Sequence, residues 1–266
     1  MKKKKNKTRE TFMQGIMAIL FSQVMVKLLG LFYRLYLTNK EGFGDAGNAI
    51  YSSGFQIYAL LLTLSSIGVP NAVAKLISEK TAVGDNKGAH RIFKVSFVTF
   101  ALLGLLGTMV LFFGAGVIAR NVLQIPEAEL TLVTLSPSIF FVSVSSVIRG
   151  YFSGREQMKA TAYSQVFEQL FKTFFTILLV ECIGFYTGGH TALMAAGANL
   201  ATTIATFLGF YYLSIYYKNR RKEVWQEIQS SASHSTLRNK KNNKKNFTNI
   251  NSYFAQFIIG SDYKKY

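Results

Sequence analysis

The chain has 266 residues, of which 50% are hydrophobic and only 16% charged, and its formal net charge is +17. A soluble globular chain normally carries about a quarter charged residues, so the apolar excess requires lipid as solvent and excludes an ordinary water-soluble domain. Cys182 is the only cysteine, which rules out an intrachain disulfide and a cysteine-based metal cluster.

The chain opens on MKKKKNKTRE, a basic flank ahead of the first apolar run. Spans are predicted at Phe12 to Leu37, Ala46 to Ile67, Val95 to Ile118, Leu130 to Ile148, Ala162 to Ile183 and Ala192 to Tyr212. Each meets or nearly meets the roughly 20 residues that a helix needs to cross about 30 Å of hydrocarbon, where backbone polar groups must pair internally. The expected fold is an all-α, polytopic bundle of six transmembrane helices over residues 12–217. A basic segment at 1–11 precedes it, and a Lys/Asn-rich tail at 218–266 follows that reads as low complexity and disordered.

Basic residues concentrate in alternate connections. The N-terminal flank, KLISEKTAVGDNKGAHRIFK, RGYFSGREQMK and KNRRK hold most of the Lys and Arg, whereas TNKEGFGDAGN, RNVLQIPEAEL and ECIGFYTGGH hold almost none. By the positive-inside rule this alternation puts both termini in the cytoplasm of a multi-pass cell-membrane protein. The basic flank also suits attraction to phospholipid. Nucleic acid is a poor competitor as partner, because no soluble domain with interleaved aromatics accompanies the charge. A cleaved signal peptide does not fit either: the apolar run is too long, contains Lys27 and lacks a small-residue cleavage site.

Within the first span, VKLLGLFYRLYLTNK carries Lys27 and Arg34 seven residues apart, hence on one face and about 10 Å apart along the axis. Gln23, Lys27, Gly30 and Arg34 form one stripe. The fifth span repeats the pattern more densely with Gln165, Glu168, Gln169, Lys172 and Thr176; the second offers Ser52, Gln56 and Thr63, and the sixth Asn199, Thr202, Thr203 and Thr206. A charge at membrane depth costs a few kcal/mol on insertion scales, so such residues usually face a bundle interior or a water-filled path. Converging stripes would line one cavity, with Lys27, Arg34, Gln56, Glu168, Gln169 and Lys172 as its polar wall. Plainer readings stand beside that one. Arg34 could snorkel to the interface, Glu168 and Lys172 could neutralise each other at i, i+4, Glu181 sits near an interface, and uncharged Ser/Thr stripes often serve helix packing.

Pro70, in IGVPNAVAKLISE, should end the second helix near its cytoplasmic end, and Pro137, within LSPSIFF, should kink the fourth. Both are candidate hinges. His90, His190 and His234 are scattered over different regions, no metal-ligand spacing appears, and neither a metal nor a cofactor is expected.

Two stretches go further than composition. IGVPNAVAKLISEK, Ile67 to Lys80, and IRGYFSGREQMKATAYSQVFEQLFK, Ile148 to Lys172, resemble the branch of the multidrug/oligosaccharidyl-lipid/polysaccharide exporter superfamily that contains stage V sporulation protein B and MurJ-like flippases. KLLGLFYRLYL, Lys27 to Leu37, resembles the first-helix motif of the same branch, and the likeness extends over about Thr11 to Tyr217. It implies one lobe of a MurJ/MATE-like transporter that flips undecaprenyl-pyrophosphate-linked sugars, such as lipid II or a related polysaccharide precursor, and that is not an enzyme. By the same resemblance Lys27 and Arg34 match basic positions of the first helix, and Glu168, Gln169 and Lys172 match the SQVFEQLFK motif. Arg149 and Arg155 match the RGYFSG turn, which implies a place at the cytoplasmic mouth. A pyrophosphate anion that sheds water on entering the membrane is attracted far more strongly by a cation in a low-dielectric cavity than by one in bulk water.

The resemblance covers half of the family pattern. Members carry two lobes, and the apolar run FAQFIIG in the tail is too short to span. Alternating access needs two halves that rock about a central site. The expectation is a truncated or frameshifted product, with self-association or a separately encoded second lobe as the other options. A multidrug or cation antiporter of the same superfamily, with Glu168 as ion carrier, is the alternative within the fold. An inert fragment or noncatalytic membrane partner is another. A prenyl-phosphate enzyme fits poorly, because Asp45, Asp85 and Asp262 are isolated and no His pairs with a Ser or Cys at useful spacing.

Overall fold

The computed structural model describes residues 2–66 and 68–235, and no strand occurs among them. The α-helices are α1 (Lys2–Asn39), α2 (Gly44–Ser66), α3 (Val69–Ala82), α4 (Asn86–Val117), α5 (Glu129–Gly154), α6 (Met158–Thr187) and α7 (Thr191–Ser235). A π-helical turn at Ile118–Val122 and a 3-10 turn at Pro126–Ala128 join α4 to α5.

Five helical stretches among the described residues are long and apolar enough to cross a membrane: Met13–Asn39, Asn86–Val122, Pro126–Gly154, Met158–Thr187 and Thr191–Arg220. Five of the six expected spans thus pass on length and apolarity, and the sixth, α2, falls short on apolarity alone. The predicted span Ala46 to Ile67 does form α2, with Ile67 itself outside the described residues, but Asn48, Ser52, Ser53, Gln56 and Thr63 dilute its apolar run. The tail expected to be disordered from residue 218 is helical as far as Ser235, while 236–266 lie outside the described residues. KNRRKEVWQEIQ is rich in strong helix formers, and extending an existing helix needs no new nucleus.

The helices pack in the order α1, α6, α7, α5, α4, with α2 and α3 laid on α5. Burial follows that order. The spanning stretches of α5 and α7 are each 67% buried, against 11% for α1 and 17% for α6. Leu20, Phe21, Val24, Leu28, Leu31, Phe32 and Leu35 of α1 and Leu102, Leu106, Val110 and Phe113 of α4 are exposed. In water such faces would aggregate; in a bilayer they are the surface that meets acyl chains.

Small residues let the central helices approach. Gly150 and Gly154 form a GxxxG pair on α5, and a Cβ added there would lie 2.8 Å from the Pro70 carbonyl oxygen and 2.6 Å from that of Ala74. The RGYFSG motif is thus the seat of α3, whose Val69, Val73 and Ile77 are buried against it. Gly54 of α2 plays the same part on Thr131, where a Cβ would fall 2.2 Å from the hydroxyl oxygen.

The polar stripe of α7 belongs to this packing. Asn199, Thr202, Thr203 and Thr206 are all buried. The Thr203 hydroxyl donates to the Thr134 carbonyl at 2.5 Å, Thr134 donates back to the Ala196 carbonyl at 3.3 Å, and Asn199 Nδ2 donates to the Tyr51 carbonyl at 3.4 Å. Pro70 occupies the first turn of α3, where its missing N–H is harmless, so the chain ends one helix and starts another as expected. Pro137 lies inside α5 without ending it. The Val133 carbonyl, which loses its usual donor to the proline, accepts instead from the Ser136 hydroxyl at 2.8 Å.

Candidate functional site

The site grows from the seam between α1 and α6. Gln23 Nε2 donates to Gln165 Oε1 at 3.2 Å, and the Thr173 hydroxyl reaches the Leu29 carbonyl at 3.5 Å. Gly30 leaves room for Gln169, whose Nε2 would lie 3.7 Å from a Cβ at that position. At the far end of the seam, Glu181 accepts from Lys40 Nζ at 2.6 Å and from the Tyr36 hydroxyl. Gly and Gln faces thus bring the two predicted stripes side by side.

Halfway along α6, Lys172 turns inward and keeps only 9% of its surface. Its ammonium stands 5.2 Å from the ring centre of Tyr33 on α1 and 4.6 Å from that of Phe55 on α2. Both distances lie within the range of cation–π attraction. Tyr33 and Tyr51 place their hydroxyls 3.4 Å apart, and the Tyr51 ring stacks on Phe55 at 6.0 Å. Among the described residues Lys172 takes part in no ion pair.

One turn earlier, Glu168 is committed elsewhere. Its Oε2 accepts from Arg149 Nη2 of α5 at 2.5 Å, and Arg149 Nε donates to the Ser164 hydroxyl at 3.1 Å. The carboxylate lies against the bare backbone of α7 at Gly209, where a Cβ would come within 2.9 Å of Oε2. Neutralisation of Lys172 by Glu168 along one helix is therefore not the arrangement.

Arg149 is 9% exposed, packed within the bundle a little over one turn before the end of α5 at Gly154. Arg155 does sit at the helix end, donating to the Tyr151 hydroxyl at 3.2 Å and lying 5.4 Å over that ring. Lys27, Arg34 and Gln56 are exposed and Gln169 is half-buried. The expected convergence is thus partial: Lys172 and Glu168 turn into the bundle, while Lys27 and Arg34 flank the seam on its open side. An open recess of about 560 Å³ at the far end of α1, lined by Phe32, Leu35, Tyr36, Asn39, Lys40 and Glu41, includes none of these predicted residues.

Sequence reasoning missed Tyr33, Phe55 and Ser164. The rings lie within apolar runs rich in aromatics, and Phe55 differs from its neighbours only in adjoining Gln56. Helical spacing did place Tyr33 next to the Gly30–Arg34 stripe, the one signal available.

A family model described as polysaccharide biosynthesis protein matches residues 12–262, which reaches past the end of the sequence resemblance at Tyr217. Stage V sporulation protein B of Bacillus subtilis (strain 168) is 27% identical over 249 residues, which cover 92% of this chain and 45% of that protein. Lipid II flippase MurJ of the same organism is 24% identical over 255 residues, 93% of this chain and 46% of the flippase. The crystal structure of MATE in complex with MaD3S superposes with a TM-score of 0.69 at 14% identity, over 81% of this chain and 46% of that one. At that identity the likeness is one of fold. The chain spans less than half the length of the curated relatives it matches.

Proposed function

The chain belongs to the polysaccharide biosynthesis protein family, and from that premise we propose that it serves as one lobe of a flippase for undecaprenyl-pyrophosphate-linked sugars, lipid II or a related polysaccharide precursor. It is a multi-pass membrane protein, and its basic end, with both termini, faces the cytoplasm in this reading. A second lobe completes the cavity. No bond in the cargo is made or broken.

The observation that carries the proposal is the state of Lys172, a buried cation halfway along α6 that no carboxylate among the described residues neutralises. Burying an uncompensated charge costs several kcal/mol, and such a cost is met where an anion arrives in the working cycle. A diphosphate suits it as a concentrated anion. Lys27 and Arg34, exposed beside the same seam, would hand the diphosphate along α1, and Gln56 and Gln169 supply hydrogen bonds for sugars. Pro70 and Pro137 are the positions where the lobe would bend.

The antiporter reading makes Glu168 the carrier of a proton or metal cation. Its pairing with Arg149 weighs against that role, since a guanidinium at 2.5 Å already occupies the carboxylate.

A lobe exchange tests the proposal. Residues 12–217 replace the matching half of the Bacillus subtilis flippase, and the chimera is expected to support growth of a strain depleted of its own. Lys172→Gln should abolish growth while the chimera still inserts. Normal growth with Lys27, Arg34 and Lys172 all replaced by Gln would overturn it, and export of a cationic dye without carrier transport would establish the antiporter.

A further inference from the structure

We infer that Tyr33 and Phe55 form an aromatic seat that presents Lys172 to an anionic ligand, so that these two rings act as positioning residues of the cation site; the inference rests on the reading of Lys172 as the diphosphate-binding cation.

A lysine ammonium buried at membrane depth ordinarily pairs with an acid, or its long stem carries it out to the interface. The acid one turn away on the same helix is held by Arg149, and the exposure of 9% excludes escape to the interface. The two ring faces stand in for a counter-ion: they stabilise positive charge through their quadrupoles yet bring no negative charge of their own. An acid in their place would hold the cation more tightly and compete with any incoming anion. Rings do not compete.

The seat is also drawn from three helices. Tyr33 belongs to α1, Phe55 to α2 and Lys172 to α6. Each ring is itself fixed, Tyr33 by the Tyr51 hydroxyl at 3.4 Å and Phe55 by stacking on Tyr51 at 6.0 Å. A side chain with four rotatable bonds is thereby held at one place. Pre-ordering it removes an entropy cost that the ligand would otherwise meet on binding. Among the described residues, exposed Lys27 and Arg34 have no such support from rings, which sets Lys172 apart from the other predicted cavity cations.

The experiment measures binding of undecaprenyl pyrophosphate to the purified chain in nanodiscs, with undecaprenol as the uncharged control and thermal melting as the check on folding. Lys172→Gln is expected to remove the preference for the pyrophosphate. Removing both rings, Tyr33→Leu with Phe55→Leu, should weaken pyrophosphate binding about tenfold and leave undecaprenol unchanged. Phe55→Trp, which keeps the ring face, should hold binding to within about twofold, and Tyr33→Phe, which keeps the ring but loses the hydroxyl contact with Tyr51, should fall between wild type and Tyr33→Leu. Added to Lys172→Gln, the ring removals should cost nothing more, because rings that act through the lysine have nothing left to position. If the double Leu variant does not fold, each single Leu variant is measured against its aromatic counterpart in the same way. Ring removal without effect, beside a clear loss in Lys172→Gln, overturns the inference and leaves the cation reading standing; losses that add to that of Lys172→Gln overturn it as well. Equal binding of both lipids by the wild-type chain, or unchanged binding by Lys172→Gln, overturns the cation reading itself.

Discussion

Arg149 and Glu168 lie 19 residues apart in sequence yet join α5 to α6 through an ion pair of 2.5 Å, with side-chain exposures of 11% and 22%. The pair sits where three helices meet, since Glu168 also rests on the backbone of α7 at Gly209. It therefore fastens the core of the lobe at the level just before Lys172.

Removing one partner leaves the other charge uncompensated. Glu168→Gln or Arg149→Met alone should destabilise the protein by about 3 kcal/mol, the low end for a buried pair because the carboxylate keeps some solvent. The double replacement Arg149→Met with Glu168→Leu should recover much of that loss, since apolar groups of similar volume need no counter-charge. Thermal unfolding in detergent reads both. A double variant as unstable as the worse single one would show that the pair's worth lies in the Arg149 hydrogen bond to Ser164 and not in charge balance.

The GxxxG pair of α5 predicts a different kind of failure. Gly154→Ala would drive a Cβ to 2.6 Å from the Ala74 carbonyl oxygen, and Gly150→Ala to 2.8 Å from that of Pro70. Backbone atoms cannot swing aside as side chains do, so each substitution should cost about 1–3 kcal/mol by forcing α3 off its seat. Gly114→Ala makes a fair control. Its nearest neighbour would be Ile118 Cδ1 at 3.5 Å, ordinary contact, and alanine is the better helix former. Melting temperatures should fall for the first two and hold or rise for the third.

Orientation follows from charge and is tested by labelling. Cys182 is exposed and must first become Ser. In that background Asn86→Cys and Gln157→Cys should react with a membrane-impermeant maleimide only after the membrane is opened, whereas Asp45→Cys and Gly188→Cys should react in intact cells. An inversion within either pair would break the assignment of the basic end to the cytoplasm.

What the sequence made legible divides along physical lines. Spans announced themselves because lipid demands a continuous apolar run, so α1 and α4 to α7 could be placed from hydropathy alone. α2 was read as one more span and does form a helix, although its Asn, Ser and Gln residues hold its hydropathy down. The stripes of α1 and α6 were legible from helical period, and the structure does bring Gln23 to Gln165 and Gly30 to Gln169. Period fixes the face of a helix and not its neighbour. That is why helical spacing offers Lys172, on the same helix, as a partner for Glu168, while the Arg149 it pairs with lies on α5 and shares no period with it. The ring seat was hidden for the same reason: Tyr33, Phe55 and Lys172 meet only through the packing of three helices.

Pro137 offers the last prediction, and it separates stability from motion. The residue lies within α5, the helix that α2, α3, α4 and α7 all pack against, so any bend there moves several elements together. A proline in a helix interior ordinarily costs about 3 kcal/mol through a lost hydrogen bond and a steric clash. Here part of that cost is already offset, because the Ser136 hydroxyl donates to the Val133 carbonyl at 2.8 Å. Pro137→Ala would restore the backbone N–H and let it bond Val133 directly, so stability should rise, but by only about 1 kcal/mol. If the weak point serves as a hinge between two states, the same substitution should slow transport in the lobe-exchange chimera while raising its melting temperature. A melting temperature that rises with growth unchanged would remove Pro137 from the hinge. A fall in both would mean that the proline is needed for the resting shape of α5, with Ser136→Ala then expected to show the same defect through loss of the compensating bond.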